Sequence, residues 1–224
     1  MTTGDIIIIG DGEFGDIAYE YFTDDSSYNV VAFAVEKNFY KKKTFHNIPV
    51  IFFEDIKNKY PPSSFKLFIA ISSTKLNSVR RRLFQEAKKM GYTCVSYFSS
   101  HSFISKSVSI GENVFIFEGN VIQSNVQIGD NCILWSGNHI GHRSIIKNHI
   151  FISSHCVVSG FCIIDDNCFL GVNATIADNV KVSTNNIIGA GALILRNTVK
   201  NQIYKGNESM PSKVSSLKLH KLKD

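Results

Sequence analysis

The sequence has no apolar run of about 18 residues, the shortest that reads as a membrane-spanning helix. Its first ten residues, MTTGDIIIIG, lack the charged, apolar and small-residue segments that follow one another in a secretory signal. They predict a first strand instead. The sequence therefore predicts a cytoplasmic protein without membrane insertion.

The sequence also lacks C-x-x-C pairs. Four of its five cysteines stand two residues before an aliphatic residue of the repeat described below, in a slot that elsewhere holds valine or alanine: Cys132, Cys156, Cys162 and Cys168. Cysteine in such a slot acts as a small apolar side chain. We therefore expect no disulfide and no metal site.

Positive charge is in modest excess, at +5, and much of it lies in Lys41–Lys43 and Lys213–Lys223. No DNA- or RNA-binding motif accompanies it. We interpret these lysines as a solvated loop and tail and expect no nucleic-acid partner.

The first part of the chain alternates predicted strands and helices, which is typical of a small parallel α/β sheet. The pattern predicts an N-terminal domain over residues 1–100, ending at a polar hinge, Ser99–Ser102. The predicted strands are Asp5–Gly10, Tyr28–Val35, Lys66–Ser72 and Cys94–Phe98, and the predicted helices are Asp16–Phe22 and Lys75–Met90.

Gly10, Gly12 and Gly15 form a G-x-G-x-x-G motif between the first strand and the first helix. Such a turn presents backbone N–H groups to phosphate oxygens at a helix N-terminus. About 100 residues make only a Rossmann-like half of a doubly wound fold, so a single nucleotide diphosphate fits better than NAD. The alternative is a tight turn without a ligand, and Glu36 is either a base or ribose acceptor or a solvated residue. The predicted nucleotide-binding residues are Gly10, Asp11, Gly12, Glu13, Phe14 and Glu36.

A six-residue repeat occupies the second part of the chain. Every sixth residue is aliphatic over sixteen consecutive positions: Ile104, Ile110, Ile116, Ile122, Ile128, Leu134, Ile140, Ile146, Ile152, Val158, Ile164, Leu170, Ile176, Val182, Ile188 and Ile194. This period predicts a left-handed parallel β-helix over residues 101–206, in which three hexads make one coil and residues 18 apart stack. Residues 207–224 form a tail.

Aromatic residues on the outside of this prism are predicted to form a column, with Phe117 stacked on Trp135. An exposed aromatic column is usually covered by a second subunit or a ligand. We therefore expect a homotrimer, with Trp135 among the substrate-binding residues. Asn120 and Asn138 are also 18 apart and are predicted to form an inward amide ladder.

Four of the seven histidines fall within 17 residues: His139, His142, His149 and His155. Imidazole near neutral pH is a suitable base for removing a proton from an amine or hydroxyl. The spacing does not match the three zinc ligands of γ-class carbonic anhydrases, which share the repeat.

The motifs together resemble bacterial nucleotide-amino-sugar N-acetyltransferases, such as those for bacillosamine and perosamine, and the related sialic acid O-acetyltransferases. The resemblance covers nearly the whole chain and is carried by IIIIGDGEFG, HNIPVI, FIAIS, HIGHRSIIKNHIFISSHCVVSG, NCFLGVNATI and IIGAGALI. It implies that the N-terminal domain binds a nucleotide-linked amino-deoxyhexose. It also implies that acetyl-CoA lies in a groove between adjacent β-helices of a trimer.

The resemblance implies that His142 is the general base, and the predicted catalytic residues are His142, His139 and Asn138. The carboxylate that follows the family's histidine is replaced by Arg143, which we expect to contact a phosphate. Asn138 or the His139 carbonyl would then orient His142. The implied acetyl-CoA-binding residues are His155, Gly160, Gly171 and Gly189. The closing segment GNESMPSK departs from the family's ending.

The sequence thus predicts an acetyl-CoA-dependent sugar N-acetyltransferase that works by direct attack, without an acyl-enzyme and without a permanently bound cofactor. Two alternatives stay open. One is O-acetylation of a sugar hydroxyl, as in sialic acid, and the other is a non-catalytic β-helix scaffold.

Overall fold

The computed structural model describes residues 4–222. Residues 4–94 form an α/β domain that continues directly into a β-helix. Its elements are β1 (Gly4–Ile9), α1 (Glu13–Asp24), β2 (Tyr28–Val35), β3 (Thr44–Phe45), β4 (Ile48–Phe52), α2 (Ile56–Lys59), β5 (Lys66–Ile69) and α3 (Ser78–Lys89). Single 3₁₀ turns, Lys37–Phe39 and Phe53–Asp55, follow β2 and β4.

The α/β domain has a five-stranded sheet in the order β3-β4-β2-β1-β5. It is parallel except for β3, a two-residue edge strand that pairs antiparallel with β4. The predicted parallel sheet is therefore confirmed, with one antiparallel addition. The predicted fourth strand over Cys94–Phe98 is wrong, because Cys94 makes only a single bridge to Leu67.

The β-helix begins where that strand was expected. Residues Tyr97–Phe98 (β6) pair with β9 of the β-helix, so the predicted hinge at Ser99–Ser102 is a corner of the first coil. The register explains this start, since Phe98 stands six residues before Ile104.

Each following hexad forms one two-residue strand that ends on the predicted aliphatic residue, and residues 18 apart pair in parallel. The strands form three flat faces, which we name by what lies outside them. The docked face contains β6 and β9 (Phe115–Ile116), β12 (Ile133–Leu134), β15 (Phe151–Ile152), β18 (Phe169–Leu170), β21 (Ile187–Ile188) and β23 (Ile203–Tyr204). The apolar face contains β7 (Phe103–Ile104), β10 (Val121–Ile122), β13 (His139–Ile140), β16 (Val157–Val158), β19 (Thr175–Ile176) and β22 (Leu193–Ile194). The polar face contains β8 (Ser109–Ile110), β11 (Gln127–Ile128), β14 (Ile145–Ile146), β17 (Ile163–Ile164) and β20 (Lys181–Val182). A four-residue helix, α4 (Ser216–Leu219), lies in the tail.

The inward side chains fill the prism with a continuous aliphatic core. The predicted small slot is confirmed: Cys132, Cys156, Cys162 and Cys168 are fully buried in it as free thiols. Asn120 and Asn138 are buried in their inward slot as predicted, but their amides do not bond to each other. Both donate to the Trp135 carbonyl, Asn120 at 2.9 Å.

The aromatic column lies on the docked face, and Phe117 stacks on Trp135 with ring centroids 4.5 Å apart. Its cover differs from the prediction. Phe14 and Phe22 of α1 pack edge-on against Phe115, so the chain's own α/β domain buries the column. The period identifies which side chains point outward, but it carries no information about what covers them.

A buried arginine also fixes the domain on the β-helix. Arg80 of α3 is fully buried and donates to the carbonyls of Ile71, Ser72, Asn131 and Ile150 at 2.7–3.4 Å. Burial lowers the pKa of Arg80 to about 10, which leaves it charged at neutral pH. Within residues 4–222, no helix is long and apolar enough to cross a membrane.

Candidate functional site

The glycine motif lies at the carboxyl ends of β1, β2 and β5, where open α/β sheets bind ligands. A crevice of about 390 Å³ opens there between the motif, the end of β2 and α3. Gly10, Asp11, Gly12 and Glu36 line it, as predicted from the sequence, and Arg82 closes the far side.

The first and third glycines of the motif are required by close packing. Gly10 has a φ of +113°, and a Cβ there would lie 2.8 Å from the Ala70 carbonyl oxygen. A Cβ on Gly15 would lie 2.2 Å from the Gly10 oxygen, so only glycine lets α1 start this close to β1. The motif therefore has a structural reason for two of its glycines, while Gly12 faces open space.

Charged side chains surround the crevice. Glu36 accepts from Arg82 at 2.8 Å, and Asp11 lies 3.7 Å from Lys42, whose Nζ also donates to the Asp11 carbonyl at 3.1 Å. Lys42 belongs to Lys41–Lys43, the lysine run for which a solvated loop is predicted from the sequence. Here it adds a positive charge beside the glycine turn.

Two predicted nucleotide-binding residues do not line the crevice. Phe14 is buried against Phe68 and Phe115 in the core between the domain and the β-helix. Glu13 is exposed in the first turn of α1 and is not part of the lining. The helical turn directs these two side chains away from the crevice that Gly10 and Gly12 form.

His142 lies at the corner between the apolar and polar faces, in an open groove of about 340 Å³ with Phe103, Ser105, Gln123 and Ser124. Its ring packs edge-on against Phe161 at 5.0 Å. Its Nδ1 lies 3.2 Å from Oε1 of Gln123. Among the described residues, no group is hydrogen-bonded to Nε2, and the exposed His142 side chain lines the groove.

Asn138, one of the two groups predicted to orient His142, is bonded elsewhere. It is buried, donates to the Trp135 carbonyl and accepts from the Cys156 N–H at 2.8 Å. Both polar atoms of its amide are thus engaged away from His142, which contradicts its predicted orienting role. The orienting group is Gln123, which the sequence analysis missed because it lies 19 residues away on the preceding coil.

The other histidines occupy different surroundings. His139 points outward from the middle of the apolar face, between Val121 and Val157. His149 lies at the corner between the polar and docked faces and accepts from Asn131 at 2.9 Å. Burial, with a smaller contribution from Arg81, lowers the pKa of His149 to about 4 and keeps it neutral.

His155 lies at the corner between the docked and apolar faces, one face away from His142. It is exposed, has a φ of +58° and stacks its ring over Gly137, where a Cβ would lie 2.6 Å from Nδ1. The structure therefore separates the predicted base from the predicted acetyl-CoA contact within one chain. Arg143, beside His142, is exposed at a left-handed corner position.

The glycines predicted to bind acetyl-CoA use their amides inside the β-helix. Gly160 donates to Oδ1 of Asp178, Gly171 to the Ile188 carbonyl and Gly189 to the Tyr204 carbonyl, at 2.7–2.8 Å. Their N–H groups are therefore not free for a ligand. None of the three has a positive φ, and a Cβ at each would crowd a neighbouring coil: His142 at Gly160, Ala190 at Gly171 and Gly206 at Gly189.

Trp135 is partly buried. Phe117 covers one side of its indole, and Nε1 is shielded from solvent without a hydrogen-bond partner among the described residues. Its predicted contact with substrate stays a prediction. Among residues 4–222, no cluster of three His, Cys, Asp or Glu side chains could hold a metal.

No thiol near the histidines is reactive. Burial raises the pKa of Cys156 to about 11, and its Sγ donates to the Gly171 carbonyl at 3.1 Å. A neutral thiol is a poor nucleophile at physiological pH. The buried Cys156 thiol is therefore not suited to act as a covalent nucleophile.

The architecture is an α/β domain mounted on a left-handed parallel β-helix, which is the fold predicted from the sequence. Residues 5–87 match the family model of the PglD N-terminal domain, and residues 94–204 match that of the GMPPB C-terminal domain. No curated protein sequence matches the chain at a significant level.

Solved structures extend the likeness to nearly the whole chain. A His-to-Asn variant of perosamine N-acetyltransferase from Caulobacter crescentus, in complex with CoA and GDP-perosamine, is 22% identical, with a TM-score of 0.81 over 92% of this chain and 95% of that one. The acetyltransferase domain of PglB from Neisseria gonorrhoeae FA1090 is 20% identical, with a TM-score of 0.81 over 93% and 99%. WeeI from Acinetobacter baumannii AYE is 22% identical, with a TM-score of 0.74 over 88% and 94%. The chain therefore has the fold of the nucleotide-amino-sugar N-acetyltransferases that its motifs resemble.

Proposed function

We propose that the protein transfers an acetyl group from acetyl-CoA to the amine of a nucleotide-linked amino-deoxyhexose used in surface glycans. The observation that carries the proposal is His142, which has one ring nitrogen held by Gln123 and the other open to a groove. Support comes from the crevice at the glycine motif and from a fold shared with a structure that holds CoA and GDP-perosamine.

The reaction needs no covalent enzyme intermediate. The sugar amine attacks the thioester carbonyl while Nε2 of His142 accepts a proton from the nitrogen. The tetrahedral intermediate then collapses, the carbon–sulfur bond breaks, and the departing thiolate takes that proton from the imidazolium. Holding amine and thioester together supplies much of the rate. Both substrates are made in the cytoplasm, where we expect the protein to work.

We further propose that the chain acts as a homotrimer with the apolar faces around the axis. The outward residues of this face are exposed and mostly apolar: Phe103 is 62% exposed, Leu193 61%, and Val121 and Val157 38% each. By contrast, the α/β domain already covers Phe115, Ile133 and Phe151 of the docked face. The apolar face thus replaces the aromatic column as the basis for the trimer.

Such an assembly would bring His142 of one chain close to the predicted acetyl-CoA-binding residues of the next chain. The two corners that flank the apolar face carry His142 on one side and His155, Gly171 and Gly189 on the other. Around a threefold axis, each His142 corner meets the opposite corner of the next chain, because the contact is head-to-tail. Acetyl-CoA would then lie between two β-helices, near the α/β domain of the neighbouring chain.

The test is release of CoA thiol from acetyl-CoA with UDP-, dTDP- and GDP-linked 3- and 4-amino-6-deoxyhexoses and with free sialic acid. Release with one nucleotide-linked amine supports the proposal and identifies its substrate. Release with sialic acid alone moves the reaction to a hydroxyl. No release by folded protein that also fails to bind CoA in calorimetry supports the scaffold alternative.

A further inference from the structure

A hydrogen-bonding pattern recurs at the corner between the polar and docked faces, and His142 departs from it. In this pattern the backbone N–H of one residue donates to the side chain found 18 residues later. Glu112 donates in this way to Asp130, Asp130 to Asn148, and Asn148 to Asp166, each at 2.8 Å. A carboxylate or amide oxygen from the next coil thus accepts these three corner amides.

The corner that carries His142 follows the same pattern one coil later, where Gly160 donates to Asp178 at 2.8 Å. The residue 18 after His142, however, is Gly160 itself, which has no side chain to accept. A Cβ there would lie 2.7 Å from Cε1 and 3.1 Å from Nε2 of His142. Glycine at this position therefore makes room for the imidazole and at the same time removes the acceptor for the His142 amide.

Gln123 of the preceding coil supplies the missing acceptor. Its Oε1 accepts the His142 backbone N–H at 2.9 Å and lies 3.2 Å from Nδ1 of the same residue. One oxygen therefore binds both the backbone and the ring of His142. With Gly160 beneath the ring and Phe161 at its edge, the imidazole is held from three directions.

This arrangement determines the tautomer of His142. The backbone N–H can only donate, so the amide of Gln123 must turn its oxygen toward His142. An oxygen in that position accepts, so Nδ1 carries the proton and Nε2 keeps its lone pair. The nitrogen that faces the groove is consequently the basic one.

We propose that Gln123 is the positioning residue of the reaction, fixing His142 in the tautomer that can accept a proton from the substrate. This inference rests on the proposed function for its kinetic consequence, although the tautomer itself does not. Arg143 stands where the resembled family has a carboxylate after its histidine. In this chain the oxygen that binds the imidazole comes from Gln123 instead, and it carries no negative charge. The charged residues along this corner are Lys106, Arg143, Arg196 and Asp178, and Asp178 is bound to the Gly160 amide.

The first test needs no substrate. Nitrogen-15 NMR of histidine-labelled protein reports which ring nitrogen of His142 is protonated, with assignment by the His142→Asn variant. Wild type and Gln123→Glu are expected to hold the Nδ1–H form, and Gln123→Leu is expected to give a tautomer mixture like that of free imidazole. Gln127→Leu is the matched control, because Gln127 is exposed on the adjoining polar face. An unchanged tautomer in folded Gln123→Leu would overturn the proposal.

The second test is kinetic. Gln123→Leu is expected to lower kcat about tenfold with little change in KM, as loss of one oriented hydrogen bond predicts. The same change is expected to have no effect in the His142→Asn background, because Gln123 acts through His142. Gln123→Glu is expected to move the acid limb of the pH–rate profile upward, since a carboxylate stabilises the imidazolium. Equal losses in both backgrounds would instead show a merely structural role.

Failure of the proposed function and failure of the positioning inference give different results. If wild type transfers no acetyl group to any acceptor while its tautomer still depends on Gln123, the proposed function fails and the positioning inference stands. If transfer occurs and the tautomer is independent of Gln123, the positioning inference alone is wrong.

Discussion

Replacing Arg80 by methionine is expected to weaken the attachment of the α/β domain to the β-helix. The guanidinium is fully buried and serves four carbonyl oxygens, two from the segment after β5 and two from the β-helix. Methionine retains most of the length of the side chain and fills its channel, so cavity formation contributes little. The main loss is therefore the set of hydrogen bonds.

The magnitude follows from two opposing terms. Each buried carbonyl left without a donor costs about 1–3 kcal/mol. Removing a charge from a buried site returns several kcal/mol of desolvation. The Ile150 carbonyl keeps the Ile133 N–H as a donor at 2.9 Å, so three carbonyls lose their donor. With some water entry, we expect a net loss of about 3 kcal/mol in the free energy of unfolding.

Urea denaturation followed by circular dichroism measures this loss as a lower midpoint. The matched control is Arg81→Met, the exposed neighbour on the same helix, which is expected to change stability by less than about 0.5 kcal/mol. A loss below about 1 kcal/mol in Arg80→Met would refute the view that this arginine fixes the domain.

Three further predictions concern single positions. The pKa of His149 is about 4 in the fold against 6.5 when free, so the unfolded state binds the extra proton, and the free energy of unfolding should fall by up to about 3 kcal/mol as pH drops from 6.5 to 4. Urea midpoints measured across this range should depend much less on pH in His149→Asn. An equal pH dependence in wild type and variant would refute the lowered pKa of His149. Gly160→Ala should lower the rate of acetyl transfer by displacing the His142 ring while leaving the circular dichroism spectrum intact, and full activity would contradict that contact. Val121→Asp should convert the trimer to monomers in sedimentation velocity, because it places a charge on the apolar face, and a persisting trimer would exclude this face as the interface.

The β-helix could be predicted to the residue because its geometry constrains sequence so tightly. An inward side chain every six residues must be aliphatic and of similar size, and all sixteen predicted positions end a strand. The first strand of the β-helix was not predicted because its inward register position holds an aromatic residue, Phe98, which pairs with Ile116 and is 41% exposed. The six-residue spacing of inward positions holds at Phe98, although the residue there is not aliphatic.

Contacts between distant segments could not be predicted in this way. Arg80 lies in the predicted helix Lys75–Met90, and nothing local in a helix shows that one of three consecutive arginines is buried. The aromatic column was found, but its cover by α1 depends on how two domains dock. Periodicity describes one element at a time, and docking is a property of two.

The candidate site shows the same division. The glycine turn was found because its chemistry is local, whereas Phe14 belongs to the domain core despite its place in the motif. His142 was singled out by its surroundings in sequence. One feature of the sequence points to a role for a residue such as Gln123. The residue 18 after His142 is a glycine and cannot accept the His142 N–H, whereas the residue 18 after Gly160 is Asp178, which accepts the Gly160 N–H.

The central claim is that His142 removes a proton from a nucleotide-linked amine during acetyl transfer. The most direct measurement is the single-turnover rate of acetylated product, detected by mass spectrometry, for wild type, His142→Asn and His139→Asn with CoA binding verified in each. We expect the single-turnover rate to fall about 10²–10⁴-fold in His142→Asn, which is the usual contribution of a general base. We expect His139→Asn to form product at nearly the wild-type rate. Retained activity in His142→Asn, with loss in His139→Asn, would contradict the central claim.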